Sequence, residues 1–390
     1  MHGLVPLPRR ADKPLSTTPS VPSRPSRPHA ALPPLFTDTL LREACLWLYR
    51  QRQHYPADAD IWHLRFHREA LFPQILKSLN TGTWQFSPLS LVRKANGDTV
   101  AIWSAADALV LKCLTLLLSP VLPVHPQCEH VKGHGGGRQS VKRVHQSICN
   151  RGWKYVCRTD IKGYYGNISK NLLYSQLLKH VTDPRLTLLL WQFLHYSVEE
   201  GGTFHTPAKG ISRSSPLSPL LAAFHLTEMD ACFAKMPGIR YARYMDDFII
   251  LTRTRRQLRR GVRQLNTWFS GYGFRQHPDK TFIGPLKKGF DWMGFWFTDQ
   301  GCRSVSPRSG QNHRDTLRRL YEQIRKQPAD VQAARVDAYV TRWNRWVQLA
   351  IGGCPVFVPP FAYAAAHRYA PGFRATGCAG GGWGACQSIQ

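Results

Sequence analysis

Acidic residues are scarce in this sequence. Its 390 residues include 24 Asp and Glu against 52 Lys and Arg, which gives a formal net charge of +28. Such an excess of one sign repels itself in a compact fold, so we expect a polyanionic partner, and nucleic acid is the usual one. The alternative is a basic surface that is simply solvated.

Cysteine pairs and long apolar runs are also missing. The ten cysteines are scattered and include no CxxC pair, a pattern that suits free thiols in a reducing compartment rather than a disulfide framework. His125, Cys128, His130 and His134 lie close together, but their spacing fits no common zinc pattern. The longest apolar stretch is interrupted by Lys112 and two prolines and is too short to span a bilayer. The first residues lack the apolar core of a signal peptide, so we expect a cytoplasmic protein without a membrane partner.

The composition divides the chain into five parts. Residues 1–36 are rich in Pro, Ser and Arg and predict an extended basic arm. Helical and hairpin patterns fill 37–153, and strands alternate with helices most densely in 154–300. Basic helices follow in 301–355, and a Gly-rich tail occupies 356–390. These patterns predict a mixed α+β fold.

Particular elements are predicted by local signals. Asn96-Gly97 favours a tight turn and therefore a hairpin. Ser218 followed by Pro219 predicts a helix that has Ser218 as its N-cap. Two strands are predicted around residues 246–247, and the stretch FDWMGFWF predicts a last short strand.

Two adjacent carboxylates interrupt the stretch YARYMDDFIIL. Asp246 and Asp247 lie there among aromatic and branched residues, where an unpaired buried charge is costly, so the pair indicates a cation. Asp160 closes another predicted strand, and the three carboxylates converge if these strands pair in one antiparallel sheet. Hard oxygen ligands select Mg²⁺ or Mn²⁺. Two such ions would activate a hydroxyl and stabilise a leaving pyrophosphate.

The order of these motifs resembles that of the reverse transcriptases, from about Phe86 to Phe297, and most closely that of group II intron-like bacterial enzymes. The resemblance implies an α+β right-hand polymerase fold, with fingers at 37–153, a palm at 154–300 and a helical thumb at 301–355. The stretches that carry it are DIKGYYGNI, GISRSSPLSPLLAAFHL, YMDD, HPDKT and the expected primer-grip hairpin FDWMGFWF.

Metal binding and catalysis are assigned by this resemblance to five residues. It implies that Asp160 and Asp246 are the principal ligands of two Mg²⁺ ions, or of Mn²⁺. Asp247 becomes the third carboxylate, and Ile161 belongs to the same metal site. Lys280 becomes a candidate proton donor to the departing pyrophosphate.

Tyr165 bears on the choice of sugar. It follows Asp160 by five positions, where an aromatic ring under the nucleotide would clash with a ribose 2′-hydroxyl. The resemblance therefore implies a DNA product. The alternative is that Tyr165 fills the core.

Contacts with the nucleotide and with the primer and template are the remaining assignments. Many relatives have Gln-Gly where Arg213 and Ser214 stand, and group II intron relatives have Arg-Pro where Thr99 and Val100 stand. The nucleotide candidates besides Tyr165 are Arg93, Lys94, Arg138, Ser212 and Arg213, of which any charged one could be merely solvated. The primer and template candidates are Tyr244, Met245, Trp292, Met293, Gly294, Arg342 and Arg345.

Two tryptophans lie on the same face of a predicted basic helix. Trp343 and Trp346 are three positions apart, so their side chains point together. They either pack into the core of the predicted thumb or stack on nucleic acid.

The resulting functional prediction is an RNA-directed DNA polymerase that uses an RNA template, a DNA primer and dNTPs. By analogy it is a free-standing group II-like enzyme with a role in phage defence. The alternatives are template-independent or protein-primed DNA synthesis and an inert scaffold that binds structured cognate RNA. The oligomeric state is not predicted.

Overall fold

The computed structural model describes residues 33–93, 99–131 and 133–351. The helices in these ranges are α1 Asp38–Gln51, α2 Asp60–Phe66, α3 Arg68–Asn80, α4 Ala105–Leu118, α5 Gly136–Arg151, α6 Tyr164–Asn167, α7 Lys170–Leu177, α8 Pro184–Leu194, α9 Ser218–His225, α10 Thr227–Ala234, α11 Arg255–Tyr272, α12 Pro307–Ile324 and α13 Ala329–Ile351. The strands are β1 Leu89–Arg93, β2 Thr99–Ile102, β3 Tyr155–Asp160, β4 Val198–Glu200, β5 Thr203–His205, β6 Ile239–Tyr244, β7 Asp247–Thr252, β8 Phe282–Pro285, β9 Phe290–Trp292, β10 Phe295–Thr298 and β11 Gly301–Val305.

The strands form three sheets. The central sheet has the order β6-β7-β3-β8, and each of its pairings is antiparallel. The pairing of β3 with the hairpin around the Asp pair, the condition for the three carboxylates to converge, is therefore fulfilled. A second sheet has the order β2-β1-β4-β5, and a third has the order β11-β10-β9.

The central sheet is covered on both faces because its side chains alternate. Val156 and Ile249 pack into one hydrophobic core together with Val144 of α5, so we call this side the α5 face. The next residue of β3, Cys157, and the preceding residue of β7, Phe248, belong to the other core together with residues of α11. We call that side the α11 face. Successive strand residues point to opposite faces, which is the origin of the alternation.

Helix α11 closes the α11 face and has clear sequence signals. Thr254 accepts a hydrogen bond from the Gln257 backbone while the Gln257 side chain returns to the Thr254 backbone, which is a capping box. Leu258, Leu265 and Phe269 are buried on one stripe of the helix. That stripe packs on β7 and β3.

The N-terminal helices share a core with the α11 face. Buried side chains from Phe36 to Phe274 form one continuous cluster. The antiparallel pairing of β1 with β2 confirms the predicted hairpin, although its turn at Asn96-Gly97 lies outside the described residues. The basic arm up to residue 32 and the tail from residue 352 also lie outside them.

Two predictions about elements need correction. Ser218 is the first residue of α9 rather than its N-cap, which is Leu217. The Ser218 hydroxyl instead donates to the carbonyl of Ser212. The stretch FDWMGFWF is a hairpin of β9 and β10, as the family resemblance implied, rather than the single strand that its local pattern predicted, and β11 extends it.

The C-terminal helices pack against the α5 face. Trp343 and Val347 of α13 join the core that contains α5, and α12 contacts α13. In the part of the chain that the structure describes, we find no helix with the length and apolar character that crossing a membrane requires.

Candidate metal and nucleotide site

A strained turn presents the paired aspartates. Tyr244 and Asp247 are opposite each other at the ends of β6 and β7, so Met245 and Asp246 are the two turn residues. Met245 has φ +55°, as at the first central position of a type II′ turn, where Gly is preferred. A residue other than Gly in this region costs about 1–3 kcal/mol and persists only where its surroundings hold it.

His130 holds one side of this turn. The Met245 N–H donates to His130 Nδ1 at 3.0 Å, and His130 Nε2 lies 3.3 Å from the carbonyl oxygen of Pro219. Burial lowers the pKa of His130 to about 4, so the ring is neutral at pH 7. Nδ1 then accepts and Nε2 donates, which ties the turn to α9.

Arg243 holds the other side. Its buried guanidinium donates to the carbonyl oxygen of Met245 at 3.0 Å and to that of Ala223 at 3.0 Å. The charge is balanced by Asp230 of α10 at 2.5 Å, and neither side chain of this ion pair is exposed. Both polar groups of the Met245 backbone are therefore fixed by side chains.

Asp160 lies beside this turn. It closes β3 directly opposite Asp247 and is 2% exposed. Lys280 forms an ion pair with its Oδ2. Its Oδ1 is buried and has no hydrogen-bond partner among the described residues. A buried carboxylate oxygen without a partner is costly and calls for a ligand.

The two paired aspartates have different surroundings. Burial and the nearby charge of Asp160 raise the pKa of Asp246 to about 6. Burial also raises the pKa of Asp247, but Arg158 opposes this effect. The Arg158 guanidinium lies 2.9 Å from Asp247 Oδ1 and also donates to the backbone carbonyl of Lys280.

The three carboxylates form only part of a site for a hard divalent cation, because two of them are adjacent and the third is bonded to an arginine. Within the described ranges, no three His, Cys, Asp or Glu side chains come together as a metal-binding group. Asp160 and Asp246 are adjacent, whereas Asp247 is engaged by Arg158. The unpartnered oxygen of Asp160 and the neighbouring carboxylate are oxygen donors of the kind that Mg²⁺ prefers.

Ile161 can contribute only through its backbone. Its side chain is 1% exposed, and its N–H donates to the carbonyl oxygen of Asp246 at 3.1 Å. This bond joins the end of β3 to the turn. It keeps Asp160 and Asp246 adjacent.

Tyr165 lies next to this cluster. Burial, together with the charge of Asp246, raises the pKa of Tyr165 to about 12. Its backbone carbonyl accepts from the Ile211 N–H at 2.9 Å, so the loop before α9 packs directly on it. The ring is half-buried and also contacts Tyr164.

The nucleotide candidates are only partly brought together. Arg213 is exposed near Tyr165, and Arg138 is exposed in the first turn of α5. The Ser212 hydroxyl is buried between the Trp103 indole and Ser214, so its assignment to the nucleotide stays a prediction that would depend on its backbone.

The fingers candidates remain untested. Arg93 ends β1, but its side chain is outside the described part of the structure. Lys94 lies outside it altogether. Both assignments stay predictions.

The β9–β10 turn contains Met293, whose side chain lies close to Gly137, as that of Tyr244 does. Met293 and Gly294 have φ of +51° and +85°, the pattern of a type I′ turn. The side chain of Trp292 is fully buried and donates to the Ser140 hydroxyl at 2.9 Å. Trp292 therefore supports the turn from within the core, and its assignment to the primer stays a prediction.

The tryptophans of α13 pack within the protein. Trp343 stacks on His313, with ring centres 4.2 Å apart, and Trp346 contacts Phe295 at 4.6 Å. The core-packing alternative is therefore the better one, although Trp346 stays 36% exposed. Arg342 and Arg345 are exposed on the same helix.

Sequence reasoning missed Arg158, Arg243 and Asp291 in this site, and it gave His130 no role in the turn. Arg158 lies two positions before Asp160, so the strand period alone places it on the same face. His130 drew attention only as a weak metal ligand. Asp291 of β9 adds a negative charge that raises the pKa of Asp247. No pattern in the sequence of β9 indicated that Asp291 would lie near Asp247.

Carboxylates at the end of an antiparallel sheet, next to a basic loop, define a candidate nucleotidyltransferase site. Residues 109–297, a little under half of the chain, match the family described as reverse transcriptase (RNA-dependent DNA polymerase).

Two known proteins are similar to parts of this chain. The chain is 21% identical to protein YkfC of Escherichia coli K12, over 58% of this chain and 71% of YkfC. It is 24% identical to the group II intron-encoded protein LtrA of Lactococcus lactis subsp. cremoris, over 42% of this chain but only 28% of LtrA. Residues 109–297 therefore match the reverse transcriptases, the RNA-directed DNA polymerases, and one similar protein is encoded by a group II intron.

Proposed function

We propose that this protein copies RNA into DNA at a two-metal site built from Asp160, Asp246 and Asp247. The observation that carries the proposal is the position of Asp160, directly opposite Asp247 and bonded through the next residue to the backbone of Asp246. The buried oxygen of Asp160 without a described partner supports a cation at this point.

The three carboxylates and the carbonyl of Ile161 would hold two Mg²⁺ ions, or Mn²⁺. When bound, these ions lower the pKa of the attacking hydroxyl and stabilise the leaving oxygen. The chain's own groups orient this cluster, since Arg158 fixes Asp247 and the turn bonds fix Asp246. Lys280, which already contacts Asp160, would give a proton to the departing pyrophosphate.

Tyr165 would select the sugar of the incoming nucleotide. Its ring lies near Asp246, and its backbone carbonyl accepts a hydrogen bond from Ile211 in the loop before α9. A ribose 2′-hydroxyl at this position would meet the ring, so dNTPs are preferred. Arg213 and Arg138, with Arg93 and Lys94, would meet the triphosphate as charged donors.

The rest of the chain would form a right hand around this site. We assign the fingers to 37–153, the palm to 154–300 and the thumb to 301–355. The Met293-Gly294 turn, together with Tyr244 and Met245, would support the primer end. Arg342 and Arg345 would follow the phosphates of the duplex. A free-standing role in phage defence stays a prediction from the resemblance.

Primer extension tests the proposal. With oligo(dT) on poly(rA) and Mg²⁺, the parent should incorporate dTTP in preference to UTP. Asp246→Ala should reduce incorporation at least about a hundredfold, while Asp299→Asn, which removes an exposed charge, should leave it unchanged. Equal activity in Asp246→Ala would refute the proposal. Activity that survives omission of template and primer would point to template-independent synthesis instead.

A further inference from the structure

Helix α11 carries a row of arginines that the proposed site does not use. The five arginines in its first half lie at positions three and four apart, and its 18 residues contain no Asp or Glu. All five are exposed. They are Arg255, Arg256, Arg259, Arg260 and Arg263.

Within the described ranges, none of these arginines forms an ion pair with a carboxylate. Arg255 lies over the ring of Tyr155, and Arg260 donates to the carbonyl oxygen of Pro237. The charges of the row are therefore not neutralised by the fold around it.

This arrangement costs local stability. Like charges at i and i+4 destabilise a helix by about 0.2–0.5 kcal/mol per pair. The row contains three such pairs, which are Arg255 with Arg259, Arg256 with Arg260, and Arg259 with Arg263. Cations in the first turn also oppose the helix dipole. Neither effect helps the helix to fold, so the row is better explained by an anionic partner than by helix stability.

The row lies away from the proposed active site. Asp160 and Asp247 share their strand faces with Val156 and Ile249, which belong to the α5 face. Helix α11 covers the opposite face. It also begins just beyond the far end of β7, roughly 17 Å from Asp247 at about 3.3 Å per strand residue. The arginine row and the proposed active site therefore lie on opposite faces of the central sheet.

We propose that the arginine row of α11 binds the phosphate backbone of a second stretch of RNA, one that lies outside the copied segment. This inference rests on the proposed function, because the template is the RNA that is physically continuous with the site. Arginines at intervals of one helical turn suit contacts along a phosphate backbone, and five of them can contribute several such contacts.

A binding comparison tests this inference. Two triple variants are compared with the parent. The α11 variant combines Arg256→Gln, Arg259→Gln and Arg263→Gln. The α1–α3 variant combines Arg50→Gln, Arg65→Gln and Lys77→Gln, and it removes three exposed positive charges from helices α1 to α3. Two probes are used: a short primer–template, and the same primer–template extended by a folded RNA hairpin beyond the copied segment.

The α11 variant should bind the extended probe at least about tenfold more weakly than the parent does. The slope of log K against log salt should become shallower by about 3 units, close to one unit for each lost phosphate contact. Its affinity for the short probe and its rate of primer extension should stay as in the parent. The α1–α3 variant should bind both probes as the parent does.

An equal loss in the two variants would overturn the inference, since net charge alone would then explain it. The inference would also be overturned if the α11 variant bound the extended probe as tightly as the parent does. The same holds if the α11 variant lost as much affinity for the short probe as for the extended one. If the parent incorporated no nucleotide at all, the proposed function would fail while the binding comparison could still be read.

Discussion

At the scale of single residues, the backbone of Met245 determines where Asp246 is placed. Its left-handed conformation is unfavourable for a side chain of this size. His130 and Arg243 compensate by bonding its N–H and its carbonyl. We infer that His130 positions the turn and does not touch the reacting atoms.

Two substitutions of His130 separate this role from a purely structural one. His130→Asn places an amide oxygen near the position of Nδ1 and can still accept from Met245, whereas His130→Gln reaches the position of Nε2 instead. His130→Gln should weaken the apparent Mg²⁺ affinity in primer extension by about 10–100-fold, and His130→Asn should retain most of it. The KM for primer–template should not move in either variant.

Equal losses in the two variants, accompanied by an equal fall in Tm, would assign His130 to folding alone. Arg243 is less informative, because removing one partner of a buried ion pair typically costs about 3–5 kcal/mol.

Lys170 gives a pH-dependent prediction that does not involve the site. It is 4% exposed, and burial lowers its pKa from the ordinary 10.5 to about 8. Its Nζ lies 4.9 Å from the centre of the Tyr196 ring and has no hydrogen-bond partner in the part of the chain described. The charged form is therefore destabilised by the fold.

A folded-state pKa below the unfolded value means that stability is gained as pH rises from about 8 to about 10.5. Lys170→Met should raise the free energy of unfolding at pH 7 by about 1–3 kcal/mol, and this gain should shrink across that window. Urea unfolding at a series of pH values measures it. Lys179→Met, at a side chain 63% exposed, should change little. A loss of stability in Lys170→Met at pH 7 would contradict the account.

At the scale of elements, the loop before α9 depends on a close backbone approach. Gly210 has φ +87°, and a Cβ there would lie 2.8 Å from Gly166 Cα and 2.9 Å from the Tyr165 carbonyl oxygen. Gly202 has the same φ, but a Cβ there would meet nothing within 4 Å. Replacing either glycine with alanine would therefore carry the same backbone cost of a positive φ, but only at Gly210 would the new Cβ also clash with neighbouring backbone atoms.

Gly210→Ala should accordingly destabilise the protein more than Gly202→Ala does. Backbone atoms cannot yield as a flexible side chain can, so we expect a difference of about 2 kcal/mol or more. Thermal or urea unfolding of the two variants measures it. A Gly210→Ala variant as stable as Gly202→Ala would show that the loop does not press on Tyr165.

Sequence patterns predicted elements better than they predicted contacts. Strands β3, β6 and β7 followed from local signals around Asp160 and the Asp pair. Their pairing was only a condition for the three carboxylates to meet, and the structure fulfils it. The buried state of Ser212 and Trp292 did not follow, since it depends on Trp103 and Ser140 in distant elements. The N-cap of α9 was wrong for a similar reason, because the Ser218 hydroxyl found a partner in the preceding loop.

At the scale of the whole molecule, the fold joins carboxylates from distant parts of the sequence. Asp160 and Asp246 are 86 positions apart and become neighbours through the pairing of β3 with β7. The sequence could suggest this meeting but could not reveal that Lys280 and Arg158 each engage one of the three carboxylates. Ion pairs of this kind depend on the packing of side chains from separate strands.

The central claim is that Asp160 and the 246–247 turn share bound metal. Replacing Mg²⁺ with Fe²⁺ and adding ascorbate generates hydroxyl radicals at the metal, and mass spectrometry of the fragments locates the cuts. We predict cleavage both near Asp160 and at residues 245–247, suppressed by excess Mg²⁺ and lost at both places in Asp246→Asn. Cleavage at only one of the two places, or cleavage that Asp246→Asn leaves intact, would contradict it.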